Sequence, residues 1–235
     1  MCLQDVLVIL SAHQPAYLPW PGYLDKIARA DAFVFLDTVQ FEKNSYINRN
    51  RIKTSHGVQW LTVPVKMKGH LSMTLRDTES DATQRWHVKH LRAIAMNYRR
   101  APYFTDCFAK LEQLLADPPH NLAELCWIQL RFWLREFAIA THVVRASTLP
   151  VSGSKSDLIL QLARHLGANH YISGALGRGY LVEDAFRAAG ISVEYQDYRA
   201  PVYPQLWGDF VPNLSIVDYW MNCGPNAAPF REATA

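Results

Sequence analysis

A histidine, a glutamine and three aromatic rings fall within eleven residues, in the segment His13-Gln14-Pro15-Ala16-Tyr17-Leu18-Pro19-Trp20-Pro21-Gly22-Tyr23. An imidazole titrates near neutral pH, so His13 suits a general base or a phosphate ligand. Gln14 can orient an acceptor, and the rings of Tyr17, Trp20 and Tyr23 suit stacking against a sugar. The plainer reading is that Trp20 and Tyr23 pack and the prolines start a helix. A second group follows Asp37-Thr38-Val39-Gln40-Phe41 and runs through Asn44, Tyr46, Asn48, Arg49, Asn50 and Arg51. Gln40 and Asn48 suit holding an acceptor. Arg49 and Arg51 suit a carboxylate or phosphate, which a guanidinium binds bidentately. Asparagines in a solvated loop that make local turns would look the same. Two more segments can take an anion. Lys155 lies in Ser152-Gly153-Ser154-Lys155-Ser156-Asp157, at a helix start, where backbone N–H groups point outward. The GxxxxGK[ST] spacing of a P-loop is absent there, and N-capping explains part of the pattern. Arg178 lies in Ser173-Gly174-Ala175-Leu176-Gly177-Arg178-Gly179-Tyr180, whose glycines permit close backbone approach to a ligand.

Other chemistries find less support. The four cysteines, Cys2, Cys107, Cys126 and Cys223, are scattered without CxxC spacing. Reduced thiols in a cytoplasmic protein are expected, and no thiol nucleophile. His87 and His90 can share a helix face, but zinc needs three or four ligands; they read as surface residues, and no metal site is expected. The net charge of +3 is small and the basic residues are spread out, so no nucleic-acid partner is expected. The apolar stretch Trp127 to Ala140 carries Arg131, Arg135 and Glu136, which rules against a span. Val6 to Leu10 is too short for a signal core. No membrane insertion is expected.

The elements that must carry these residues follow from hydrophobic period. Val6 to Ala12 is a continuous apolar run, as in a strand buried on both faces. A helical pattern follows over Tyr17 to Ala30, with Tyr23, Ile27 and Ala30 on one side and Asp25, Lys26 and Arg29 on the other. Ala32 to Leu36 reads as a second strand, Asp37 to Thr54 as a polar loop and Val58 to Val65 as a strand. Amphipathic helices are expected at Gln84–Tyr98, Tyr103–Leu115 and after Asn121, whose spacing to Glu124 is that of a cap. The second half alternates again: strands at His142–Ala146, His170–Ser173 and Ile191–Tyr198, helices at Lys155–Leu166 and Leu181–Ala189. With 235 residues, 49% of them hydrophobic and 19% charged, the chain reads as one α/β domain spanning 1–235. The layout is a parallel-sheet sandwich, HUP/Rossmann-like, with a helical middle at about 84–140. Ligands of such sheets bind beyond the carboxyl ends of the strands. His13, Gln40, Arg49 and Arg178 are therefore expected to converge there.

Taken together, HQPAYLPWPGYLDKI, FLDTVQF, NRNRIK followed by WLTVPV, YISG, YPQ at 203–205 and PNLSIVD at 212–218 resemble the WbqC-like family of bacterial proteins. The likeness runs from about Leu10 to Gly224. It implies a role beside surface-polysaccharide or natural-product biosynthesis, where such proteins are often labelled amino-acid or glycine transferases. A more distant likeness is to HUP-type nucleotidyl-transferring enzymes and pantothenate synthetase, which bind ATP phosphates with an HxGH-like motif after the first strand. His13 matches its first histidine; Pro21-Gly22-Tyr23 stands near the place of the second. Val39-Gln40-Phe41 partly echoes a VNPxQF-like sequence of the synthetase. The implied activity is a ligase or transferase joining an amino-acid or acyl group to a small acceptor such as an aminosugar. Its donor would be an acyl-adenylate made from ATP or a carrier-bound acyl group, the latter implying a carrier-protein partner. The small-molecule partners are an aminosugar, amino acid or nucleotide. The alternative is a non-catalytic protein that holds a sugar nucleotide or docks on a partner enzyme.

Overall fold

The computed structural model describes residues 8–66 and 73–225. Five strands form a parallel sheet: β1 (Ile9–His13), β2 (Ala32–Phe35), β5 (His142–Arg145), β6 (His170–Ser173) and β7 (Ser192–Tyr195), in the order β5-β2-β1-β6-β7. The register sets His13 beside Phe35 and Ser11 beside both Phe33 and Ile172. Alternation buries the central strands β1 and β2 on both faces. Leu10, Ala12, Val34 and Leu36 join one buried cluster with Leu158, Leu162 and Phe186, while Phe33 and Phe35 join another with Tyr23, Leu24 and Ile27. The first cluster is covered by α5 (Lys155–His165) and α6 (Glu183–Ala188). The second lies under α1 (Pro21–Ala28), α2 (Trp86–Tyr98), α3 (Phe104–Leu114), α4 (Leu122–Glu136) and α7 (Ile216–Cys223). This is an α/β architecture with helices on both sides of a parallel sheet. Asn121 caps α4 as its spacing suggests, its side chain accepting from Glu124 N at 2.9 Å.

Several boundaries differ from the sequence reading. Helix α1 starts at Pro21, not Tyr17: Leu18 adopts a left-handed φ of 41°, Trp20 is the extended N-cap, and Pro21 occupies the first turn. Part of the expected loop is a strand. β3 (Arg49–Thr54) pairs antiparallel with β4 (Gly57–Thr62) in a separate hairpin, closed at Gly57 with φ 108°. The inward positions are Asn50 and Ile52, both fully buried. Because one of the two is polar, the alternation does not stand out in the sequence. Asn50 is satisfied inside: its amide donates to Leu18 O at 2.7 Å and its carbonyl oxygen accepts from Arg51 N at 2.8 Å. Helix α7 has no counterpart in the sequence reading. Residues 6 and 7 of the expected first strand, and Cys2, lie outside the described residues. Cys107, Cys126 and Cys223 are free thiols, the first two buried. His90 is not a surface residue. It is buried in α2, with Nδ1 bonded to the Tyr17 hydroxyl at 2.8 Å. Among the described residues no helix is long and apolar enough to cross a membrane.

Candidate functional site at the carboxyl ends of β1 and β6

The chain runs outward from β1 through β2 to β5, then returns to the other side of β1 for β6 and β7. In parallel sheets such a reversal parts the loops and leaves a crevice at the carboxyl ends of the two strands beside it, which here are β1 and β6. His13 is the last residue of β1 and stands there. Its Nδ1 lies 3.0 Å from Gln14 O. A carbonyl can only accept, so Nδ1 carries the proton and Nε2 keeps its lone pair. The imidazole edge packs on Trp20 and Tyr23, with centroids 5.6 and 5.0 Å away. Burial and then the nearby Lys26 ammonium lower its pKa from 6.5 to about 3. His13 is therefore a neutral hydrogen-bond acceptor at physiological pH, and a weak base.

The turn that follows is held from many sides. Gln129 Oε1 of α4 accepts from Leu18 N at 2.9 Å, and Pro19 O accepts from Ile216 N of α7. The Tyr23 hydroxyl donates to Gln14 O at 3.3 Å. Gly22 is a packing glycine: a Cβ there would lie 2.6 Å from the Tyr198 ring. The Tyr198 hydroxyl is buried and has no partner among the described residues. Gln196, just past β7, donates to Gly22 O at 2.9 Å and Asp25 Oδ2 at 2.6 Å. Burial raises the Asp25 pKa.

The residue that sequence reading placed on the outer side of α1 lies between the carboxyl ends of β1 and β6. Lys26 is only 2% exposed, and its Nζ donates to Ala12 O at 3.1 Å. Among the described residues it forms no ion pair. Burial brings its pKa from 10.5 down to about 7. The signal available in the sequence was position: α1 starts directly after β1, so its first turns stand over the carboxyl edge of the sheet.

The other expected site residues distribute in three groups. Gln14 and Trp20 border His13 and are half-buried, and Tyr23 is buried beneath them. A run of rings leads away from that cluster, Trp20 to Tyr46 at 5.4 Å and Tyr46 to Trp60 at 5.6 Å. At its end the Arg49 guanidinium lies 4.2 Å over the Trp60 ring and that of Arg51 lies 5.7 Å from it. Arg49 also donates to Asn44 O, and Arg51 to Asn213 O at 3.1 Å. Tyr46 and Trp60, whose roles sequence reading did not assign, are among the exposed large rings. The remaining residues have other surroundings. Tyr17 is fully buried, and Asn48 is buried with its amide donating to Val63 O at 2.8 Å. Gln40 is exposed and bridges to Thr74, Lys155 is exposed at the start of α5, and Arg178 is exposed over the Tyr195 ring at 4.2 Å.

The remaining motifs gather elsewhere, at one buried polar network. Asp218 accepts from the hydroxyls of Tyr98 at 2.6 Å and Tyr203 at 2.7 Å, and from Gln205 Nε2 at 2.8 Å. Lys53 Nζ donates to Gln205 Oε1 at 3.2 Å, Gly208 O at 3.1 Å and Asp209 O. These contacts bind the 203–211 segment onto β3, α2 and α7. The NRNRIK, YPQ and PNLSIVD segments thus meet in space.

A model of the WbqC-like protein family matches residues 14–229. The chain belongs to the WbqC-like family. It is also 36% identical over 219 residues to the "Uncharacterized protein Rv1507c" of Mycobacterium tuberculosis, covering 92% of this chain and 94% of that protein. No solved structure matches. The match spans the crevice lysine, the Trp60 surface and the Asp218 network, so this WbqC-like chain carries all three within the family region.

Proposed function

We propose that this WbqC-like protein transfers an amino-acid or acyl group to the amine of a small acceptor such as an aminosugar, at the crevice between β1 and β6. The observation that carries the reading is His13: its Nδ1–H is engaged by Gln14 O, which aims an unprotonated Nε2 away as a hydrogen-bond acceptor. An acceptor N–H bonded there would have its nitrogen lone pair turned toward an activated carbonyl. In the transfer the nitrogen–carbon bond forms and the carbonyl's bond to its leaving group breaks, releasing AMP from an adenylate or a thiol from a carrier. The attacking amine gives up one proton to solvent or a nearby base. The strand order, which in chain sequence is 3-2-1-4-5, agrees with a HUP/Rossmann-like layout. The rings of Trp20, Tyr46 and Trp60, with Arg49 and Arg51, suit a sugar ring carrying an anionic group.

The test is product formation. The protein is incubated with ATP and glycine, or with a glycyl thioester, and a panel of aminosugars, and masses are read for a glycyl addition. Wild type should give product and His13→Ala should lose it at least tenfold. Saturable binding of a sugar nucleotide with no product from any donor would favour instead a non-catalytic binding protein, a reading that the exposed Trp60 surface supports.

A further inference from the structure

A buried lysine normally has a carboxylate beside it, because an isolated ammonium loses its hydration without compensation. Lys26 has none: of its three N–H donors the described bonds use one, to the neutral Ala12 carbonyl. The titratable groups around it are otherwise engaged. His13 on β1 is bonded to Gln14 O, and Asp25 on α1 is held by Gln196. The Tyr23 hydroxyl on the same helix donates to Gln14 O. Glu194 on β7 pairs with Arg29 and His170.

A second observation comes from β6. Gly174 follows that strand with φ −69° and ψ 161°, an extended conformation open to any residue. Its lack of a side chain therefore has no backbone cause. A Cβ built there would have one atom within 4 Å, Lys26 Nζ at 3.7 Å. A larger side chain at 174 would stand over the amine, and glycine leaves that approach open.

We infer that Lys26 receives an anionic group of the substrate, a carboxylate or a phosphate, which enters past Gly174 and supplies the missing counter-ion. The two unused N–H donors are the bonds offered to it. Because burial holds the amine near neutrality, the arriving anion also draws a proton onto it. The inference names the substrate chemistry of the same crevice and rests on that reading only for the location.

The experiment follows the Lys26 ε-carbon by NMR in protein labelled with 13C-lysine, the resonance being assigned by its loss in Lys26→Met or, if that variant fails to fold, Lys26→Arg. Titrations are run alone, with inorganic phosphate and with glycine. An anion that binds should raise the apparent pKa of Lys26 by a unit or more, a tenfold change in proton affinity. A response to phosphate only identifies a phosphate-bearing substrate, to glycine only a carboxylate, and to both a general anion site. Gly174→Val should abolish the response while leaving the amine in place. No response to either anion, or a full response in Gly174→Val, overturns the inference. The readout is protonation and not product. A positive result with no glycyl transfer would therefore leave this site standing and remove the transferase reading.

Discussion

The Tyr17 hydroxyl and His90 Nδ1 lie 2.8 Å apart in the core, joining the turn after β1 to helix α2 across 73 residues. Burial lowers the His90 pKa from 6.5 to about 4, so it stays neutral and can accept a hydrogen bond from the tyrosine hydroxyl. The tyrosine ring also meets Trp86 edge-on at 5.9 Å. Tyr17→Phe should therefore cost about 1–3 kcal/mol, the penalty of a buried group left unpaired. For a chain of this size each kcal/mol lowers the melting temperature by about 2–4 °C. Thermal unfolding checks this. An unchanged melting temperature with weakened ligand binding would return Tyr17 to the site.

Lys26 sets a stability trend at alkaline pH. Its folded pKa, about 7, is depressed below its ordinary 10.5, so between those values the unfolded chain binds more protons. Stability from this group therefore rises with pH across roughly 7 to 10.5 and is lowest below 7. Lys26→Met should stabilise the protein at pH 7, by up to an order of 5 kcal/mol, and should flatten the rise. Urea unfolding at pH 7 and pH 9.5 is the measurement. A variant less stable than wild type at pH 7 would show that the amine contributes bonds beyond the one to Ala12.

Acid acts through His13 and His90. Their folded pKa values, about 3 and about 4, lie below the ordinary 6.5, so the unfolded chain takes up protons first as pH falls. Stability should drop from about pH 6.5 downward, and more gently below pH 4, where His90 also protonates in the fold. His13→Asn should reduce that slope by one proton, about 1.4 kcal/mol per pH unit. Chemical denaturation at half-unit steps between pH 6.5 and 4.5 reads it directly, and an unchanged slope would place His13 in water.

The network at Asp218 is expected to be structural. Asp218→Ala leaves two tyrosine hydroxyls without their acceptor and takes from the Gln205 amide one of its two, Val211 O being the other, and leaves the nearby Lys53 without compensating charge. A loss of about 3–5 kcal/mol is expected. Hydrogen exchange should show 203–211 loosening before the sheet does. Loss confined to α7 would mean that the network does not anchor that segment.

Trp60→Ala should leave stability within about 0.5 kcal/mol, as for an ordinary surface change, since this ring is half out in solvent and touches mainly Tyr46, Arg49 and Arg51. Affinity for a sugar nucleotide should fall by several-fold to tenfold, the scale of a lost ring contact. Fluorescence titration with a sugar nucleotide separates the two, and full retention of affinity would take Trp60 out of the binding surface.

The chain's own pattern was enough to place β1, β2, β5 and β6, and to put His13 at the carboxyl edge of a parallel sheet. Apolar runs and helical periods are local, and burial on two faces leaves the same mark wherever the strand sits. Asn121 at the start of α4 was legible for the same reason, since a cap and its target lie three residues apart. Polar side chains that turn inward were not legible. Asn50 reads as a loop residue until Leu18 O is known to wait for its amide, and nothing in the sequence says that the Tyr17 hydroxyl meets His90 in the core. Lys26 reads as the solvent side of a helix, because the sequence of α1 does not say that β6 pairs beside β1 and brings Gly174 next to that side. Whether such a group faces water or the interior depends on partners dozens of residues away, and only the packed chain decides it.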